Sequence, residues 1–334
     1  MGPDLDPVDR LLIDELGDLP SGRIAVVGDD HGALAAAVAE LAGSGVVAHS
    51  DSLVSERRVA AAGVEVTPDL AAALTGAHLV VLRLPGSLDA LDEVARTAAI
   101  VGAPDVRVVA GGRVKHMTRS MNDVLAASFE QVSASLGRQK SRVLHAAGPR
   151  EVEQTWPRSR HHDGLDLTVH AHGAAFAGTR IDAGTALLVS QLDQLADTDA
   201  TVVDLGCGTG VLAALLARRF GDVVALDVSA AAVASTLATT AGAVDVRRTD
   251  GLTELADASV GAIVSNPPFH VGTAKDSTPT LQMIDDAARV LVPGGELVLV
   301  YNAHLPYLQR LRDLGPTDVL VRDRSYIVTR TVLA

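Results

Sequence analysis

The chain has 334 residues, 48 % of them hydrophobic, with a formal net charge of −13. That length admits two domains with separate cores, and that composition excludes a disordered chain. The single cysteine, Cys207, excludes an internal disulfide framework and suits a reducing compartment. The N-terminus carries acid rather than a basic-then-apolar leader, and no uncharged apolar run is long enough to span a bilayer. A cytoplasmic protein without membrane contact is expected.

The first half opens with the apolar strand Arg23-Ile24-Ala25-Val26-Val27. The turn Gly28-Asp29-Asp30-His31-Gly32 and a helical run from Ala33 to Leu41 follow. Val46 to His49, Leu79 to Leu82 and Val106 to Val109 read as further strands. From Arg107 to His162 ten Lys/Arg stand against four Asp/Glu, an excess of base inside an acidic chain. An ordinary solvated face accounts for such an excess, and so does a stripe that contacts phosphate. The candidates are Arg113, Lys115, Arg119, Arg138, Lys140 and Arg142.

Breakers cluster at Gly148-Pro149, Trp156-Pro157 and Asp163-Gly164. They predict a first domain over residues 1–147, a connector over 148–164 and a second domain over 165–334. Trp156, the only tryptophan, reads as packing or as a platform for a base.

The second half repeats the opening of the first: strand Thr201 to Leu205, turn Gly206-Cys207-Gly208-Thr209-Gly210, helical run Val211 to Phe220. Aligning Gly210 with Gly32 pairs Gly206 with Gly28, Gly208 with Asp30 and Asp204 with Val26. Val223 to Asp227, Val244 to Val246, Val260 to Ser265 and Leu297 to Tyr301 continue as strands, with Val319 to Arg322 and Tyr326 to Val332 as a closing pair. Strands alternating with helices imply parallel sheets covered on both faces.

The chemistry collects at the ends of these strands. Gly206, Gly208 and Gly210 let backbone approach a ligand closely. Asp227 ends the second strand, where a carboxylate can take both hydroxyls of a ribose, and Asp250 follows the third, where it can accept from an adenine amino group. The fourth stops at Asn266-Pro267-Pro268-Phe269, because two prolines cannot continue a sheet. An amide oxygen and the Pro267 carbonyl suit the N–H groups of a planar amine, and Phe269 suits its face. Cys207 has no histidine neighbour in sequence and reads as packing rather than as a nucleophile.

This ordered set resembles the class I S-adenosylmethionine-dependent methyltransferases, with Asp204 to Gly210 as their first motif and Asn266 to Phe269 as their amino-methylating motif. Nearly the whole chain is similar to the two-domain bacterial ribosomal RNA guanine-N2 methyltransferases. The matching stretches are Phe176-x5-Asp182-Ala-Gly184-Thr185, Asn266-Pro-Pro-Phe-His270, Pro293-Gly-Gly-Glu-Leu297 and Asn302-Ala-His304-Leu-Pro-Tyr307. Gly112-Arg-Val-Lys115-His116-Met-x-Arg119 is closer to the large-subunit (23S) branch than to the small-subunit (16S) branch.

The resemblance implies two tandem Rossmann-like methyltransferase domains, the first degenerate and RNA-presenting, the second catalytic. It implies S-adenosylmethionine as cofactor, held by Asp182, Gly184, Thr185, Asp204, Gly206, Gly208, Gly210, Asp227 and Asp250. Asn266, Pro267 and Phe269 would act on guanine N2, without a metal, with ribosomal RNA or a ribosomal subunit as partner. Asp182 also reads as the first acid of a helix. Methylation of adenine N6 or of a protein glutamine, and a non-catalytic RNA-binding assembly protein, are the alternatives.

Overall fold

The computed structural model describes residues 5–267 and 278–334. They form two compact units: the chain up to Pro157 together with His172–Ala174, and Arg158–Ala171 together with Ala175 onward.

In the first unit the elements run α1 (Pro7–Asp14), β1 (Arg23–Val27), α2 (Ala33–Ala42), β2 (Val46–His49), α3 (Leu53–Ala61), β3 (Glu65–Val66), α4 (Leu70–Leu74), β4 (Ala77–Arg83), α5 (Leu88–Val101), β5 (Arg107–Arg113), α6 (Ser120–Ser128), β6 (Phe129–Ala134) and β7 (Ser141–Pro149). The seven strands lie in the order β3-β2-β1-β4-β5-β7-β6. The first five are parallel; β7 is antiparallel to both of its neighbours.

The second unit begins with a hairpin, β8 (Arg158–His162) and β9 (Leu167–Ala171), followed by α7 (Ala183–Val189). Then come β10 (Thr201–Leu205), α8 (Val211–Leu216), β11 (Val223–Asp227), α9 (Ala230–Thr240), β12 (Asp245–Arg248), β13 (Val260–Ser265), α10 (Thr278–Val290), β14 (Leu291–Asn302), α11 (Tyr307–Leu314), β15 (Thr317–Arg322) and β16 (Tyr326–Val332). Its seven-stranded sheet runs β12-β11-β10-β13-β14-β16-β15, the same order as the first. Both are the open α/β sheets that the alternation of strands and helices predicts.

Alternate residues of each central strand enter different cores, which is why these strands read as unbroken apolar runs. Val203, Leu205, Ile263 and Leu297 face one side of the second sheet; Val202, Ala262, Val264 and Val298 face the other. In both sheets the chain leaves the central strand in one direction and returns to its other side. That reversal opens a crevice at the carboxyl ends of β1/β4 and of β10/β13.

Two glycines fix the helices that follow the central strands. Gly210 has φ +78°, and a Cβ there would stand 2.9 Å from the Thr236 Cα on α9. Gly32 has φ +85°, and a Cβ there would stand 2.9 Å from the Arg58 carbonyl oxygen on α3. Both positions therefore require glycine, for conformation and for space.

Strand β8 is the element that the sequence pattern hides. Arg158-Ser159-Arg160-His161-His162 is exposed along nearly its whole length and has no apolar alternation. It is extended because β9 pairs with it, and β9 buries Leu167, Val169 and Ala171. Trp156 is 8 % exposed, and its indole N–H donates to Asp92 at 2.9 Å within the first unit. The ring is packed, which withdraws it from the role of base platform.

Candidate active site

The ends of β10, β11, β12 and β13 carry the residues singled out from the sequence, at one end of the second sheet. The turn after β10 bends through Gly206, Gly208 and Gly210, all at positive φ. No described atom lies within 4 Å of where a Cβ on Gly208 would stand, so this stretch of backbone is open to a ligand. Asp227, half-buried at the tip of β11, accepts from the Gly208 N–H at 2.9 Å and from the Ser229 N–H at 2.9 Å. A carboxylate at this strand tip is also an acceptor of the kind that hydroxyl donors need. Asp250 is exposed two residues beyond β12.

Asp204 stands behind the turn rather than in the crevice. It is 0 % exposed, and one carboxylate oxygen accepts the Ala213 N–H at 2.8 Å, in the first turn of α8. The other oxygen has no partner among the described residues. Burial, with Asp227 adding repulsion, raises this carboxyl to about 7, against the partial relief of the Ala213 bond. Cys207 beside it is buried, and burial pushes its thiol well above the usual range, which removes it as a nucleophile at neutral pH.

The fourth strand end holds a network that the sequence does not reveal. Asp182 caps α7 by accepting from the Gly184 N–H at 2.9 Å and the Thr185 N–H at 3.3 Å. The Thr185 hydroxyl donates back to Asp182 at 2.5 Å. Asn266 Nδ2 then donates to both, 3.1 Å to the Asp182 carboxylate and 2.9 Å to Thr185 Oγ1. An ionised carboxylate only accepts, so the amide must turn its NH2 toward Asp182. That orientation leaves Asn266 Oδ1 as the acceptor end. A Cβ on Gly184 would come 3.4 Å from Oδ1 and 3.4 Å from a ring carbon of Tyr326, so glycine keeps this corner clear.

Asp182 is thus both the helix-capping acid and the anchor of Asn266, and Thr185 joins the two. Ser265 was also missed: its hydroxyl donates to the Leu205 carbonyl at 2.7 Å and ties β13 to β10 at the crevice. Pro267 is buried at the strand end. Phe269 lies outside the described residues.

In the first unit the basic candidates follow or face the carboxyl end of β5. Gly112 pairs with Arg142 and Arg113 with Ser141 across β5 and β7, and the Val114 N–H donates to the Lys140 carbonyl. Lys115, Arg119, Lys140 and Arg142 are exposed. Arg138 is a partnered cation, 3.1 Å from Asp14 and 3.9 Å from Glu15. Among the described residues no group of three or more His, Cys, Asp or Glu is placed to hold a metal ion, and no helix is long and apolar enough to cross a membrane.

Comparison with known proteins falls on the same two units. A family model described as the RLMG N-terminal domain matches residues 5–150, and one described as the methyltransferase small domain matches residues 166–330. The ribosomal RNA large subunit methyltransferase G of Streptomyces avermitilis is 32 % identical, over 93 % of this chain and 87 % of that protein. The protein of the same name from Erwinia tasmaniensis is 29 % identical, over 98 % of this chain and 92 % of that protein. Among solved structures, the 16S rRNA N2 methyltransferase RsmC of T. thermophilus, in complex with AdoMet and guanosine, shares the fold. Its TM-score is 0.81 at 24 % identity, covering 99 % of this chain and 93 % of that one. With one fold, two matched domains and end-to-end similarity, the chain belongs to the ribosomal RNA large subunit methyltransferase G family.

Proposed function

We propose that the second unit transfers the methyl group of S-adenosylmethionine to the exocyclic N2 amine of a guanine in large-subunit (23S) ribosomal RNA, in the cytoplasm. The observation that carries this reading is the tethered amide of Asn266, whose NH2 is committed to Asp182 and Thr185 and whose oxygen is left to accept. The relatives' names supply the RNA.

The residues fit the donor. The open backbone at Gly208 and the Asp227 carboxylate at the tip of β11 suit a ribose, and exposed Asp250 suits an adenine amino group. When bound, the donor supplies an electrophilic methyl on a sulfonium. Guanine N2 is a weak nucleophile because its lone pair is delocalised into the ring. Asn266 Oδ1 and the Pro267 carbonyl accept its two N–H groups and turn the lone pair out of that conjugation. Phe269 holds the base by its face, and the surplus proton leaves the product amine, so no metal is called for. The base must be unpaired or flipped to reach these groups. The first unit, roughly residues 1–147, presents the RNA through Arg113, Lys115, Arg119, Lys140 and Arg142, with Arg138 released from its acids when phosphate is near.

The test is transfer of labelled methyl from S-adenosylmethionine to purified ribosomal RNA, followed by nuclease digestion and mass spectrometry. N2-methylguanosine from the large-subunit RNA is expected. Label in N6-methyladenosine, or no label with no donor binding by calorimetry, overturns the reading.

A further inference from the structure

We propose a second RNA subsite in the catalytic unit, a cleft beside α7 that takes the nucleotide next to the target guanine; this rests on the function proposed above. The cleft measures about 450 Å³, within the roughly 300–1,000 Å³ of small-ligand sites. Its floor is apolar: Leu165, Ile181 and Val189 back onto the small core of Leu167, Val169 and Val211. Its rim is polar and comes from the hairpin: the Arg160 guanidinium and the imidazoles of His161 and His162, with Asp163 as the acid beside them.

The rim is organised for an anion and a flat ring. Arg160 is exposed and makes no ion pair or side-chain hydrogen bond among the described residues, so its guanidinium fork is available to a phosphodiester. His162 Nε2 lies 2.8 Å from the Thr179 carbonyl oxygen, which can only accept. The ring is therefore fixed in orientation, with its proton on that nitrogen. His161 Nδ1 lies 3.1 Å from Thr168 Oγ1, and its other nitrogen 3.4 Å from Asp163. Apolar floor, planar imidazoles and a free arginine are the groups that hold an unstacked nucleotide.

The place of the cleft ties it to the reaction. Ile181 in its wall directly precedes Asp182, the anchor of Asn266. Ala186 in the same wall donates its N–H to the Asp182 carbonyl at 2.9 Å, one helical turn on, or ~6 Å along the axis. An RNA strand that delivers its guanine to Asn266 passes this turn of α7 with its neighbouring nucleotide.

The experiment uses the full chain and a short hairpin RNA carrying the guanine found by product mapping. It is made intact, or with an abasic residue on the 5′ or the 3′ side. The double variant Arg160→Ala/His161→Ala is expected to raise KM for the intact RNA about tenfold, with kcat and the donor Kd unchanged. That effect should vanish on one of the two abasic RNAs. Ala186→Phe, at an exposed position, should fill the cleft and give the same pattern without touching the rim. Unchanged KM in an enzyme whose wild type is active overturns the subsite alone, and a weakened donor Kd overturns it by assigning the cleft to the donor. A wild type that methylates no RNA overturns the function and the subsite with it.

Discussion

The two units share a strand order and differ at every strand end where chemistry would sit. The paired registers make the comparison residue by residue. Leu205 pairs with Ser265 as Val27 pairs with Leu82, so Arg83 takes the place of Asn266. Leu205 also pairs with Leu226 as Val27 pairs with His49, which puts Ser50 where Asp227 stands. Gly208 becomes Asp30. The carboxylate that takes the N–H of the third helical residue is Asp204 from within the strand in the second unit, and Asp29 from the loop in the first.

Asp29 thereby fills its own turn. It accepts from the His31, Gly32 and Ala35 N–H groups at 3.0, 3.0 and 2.8 Å, and is 2 % exposed. The Ser50 hydroxyl closes the turn from the side, donating to the Asp29 carbonyl at 2.9 Å. Arg83 is held by Asp6 at 3.1 Å and by Asp9, both at the start of α1. Groups that face outward in the second unit are satisfied inward in the first. A scaffold can keep its topology while its ligand positions are turned into internal bonds.

This contrast predicts that truncating Asn266 affects chemistry, whereas truncating Arg83, which takes its place in the first unit, affects stability. The largest expected effect is Asn266→Ala, a fall in kcat of about 10²–10³-fold with donor affinity and the thermal transition nearly unchanged. Single-turnover methylation and calorimetry on the same preparation check it; retained kcat breaks the contrast.

Asp204→Asn comes next, as a pH effect. The folded carboxyl is raised to about 7 from 3.8, so between these values the unfolded chain ionises first. The Asp204 contribution to wild-type stability therefore falls as pH rises from about 4 to about 7 and is level beyond. Asparagine does not titrate, so the variant should gain on the wild type by a few kcal/mol across that window. Urea unfolding at several pH values reads the slope, and parallel curves would contradict the shift.

Arg83→Ala should cost about 2–3 kcal/mol in the first unit, with donor binding unaffected. It strands Asp9, which burial already raises against the pull of Arg83. A urea midpoint equal to the wild type would show that solvent screens the pair. The smallest effect is Lys140→Glu, which should weaken RNA binding and flatten its dependence on log[salt] by about one to two units. An unchanged slope removes Lys140 from the RNA-contacting edge.

The architecture was legible because its signals are local. Val260 to Ser265 reads as a buried strand from its own residues and ends where Pro267 forbids more pairing, and the structure has β13 over that span. The duplicated glycine turns likewise announce themselves in five residues each. What was not legible joins distant positions. Asn266 reaches Asp182 across 84 residues, and Arg83 reaches Asp6 across 77. No periodicity carries such pairings. Strand β8 was illegible for another reason: its partner supplies the buried residues and it supplies none.

The anchoring of Asn266 bears on protein engineering. Writing Asn-Pro-Pro-Phe over Arg83–Gly86 would hand the first unit the letters of the motif without the helix-capping acid and threonine that aim the amide, 84 and 81 positions away in the second. Transplanted alone, the tetrapeptide would swing freely; the portable module is the pair of segments, and any redesign of this activity has to move both.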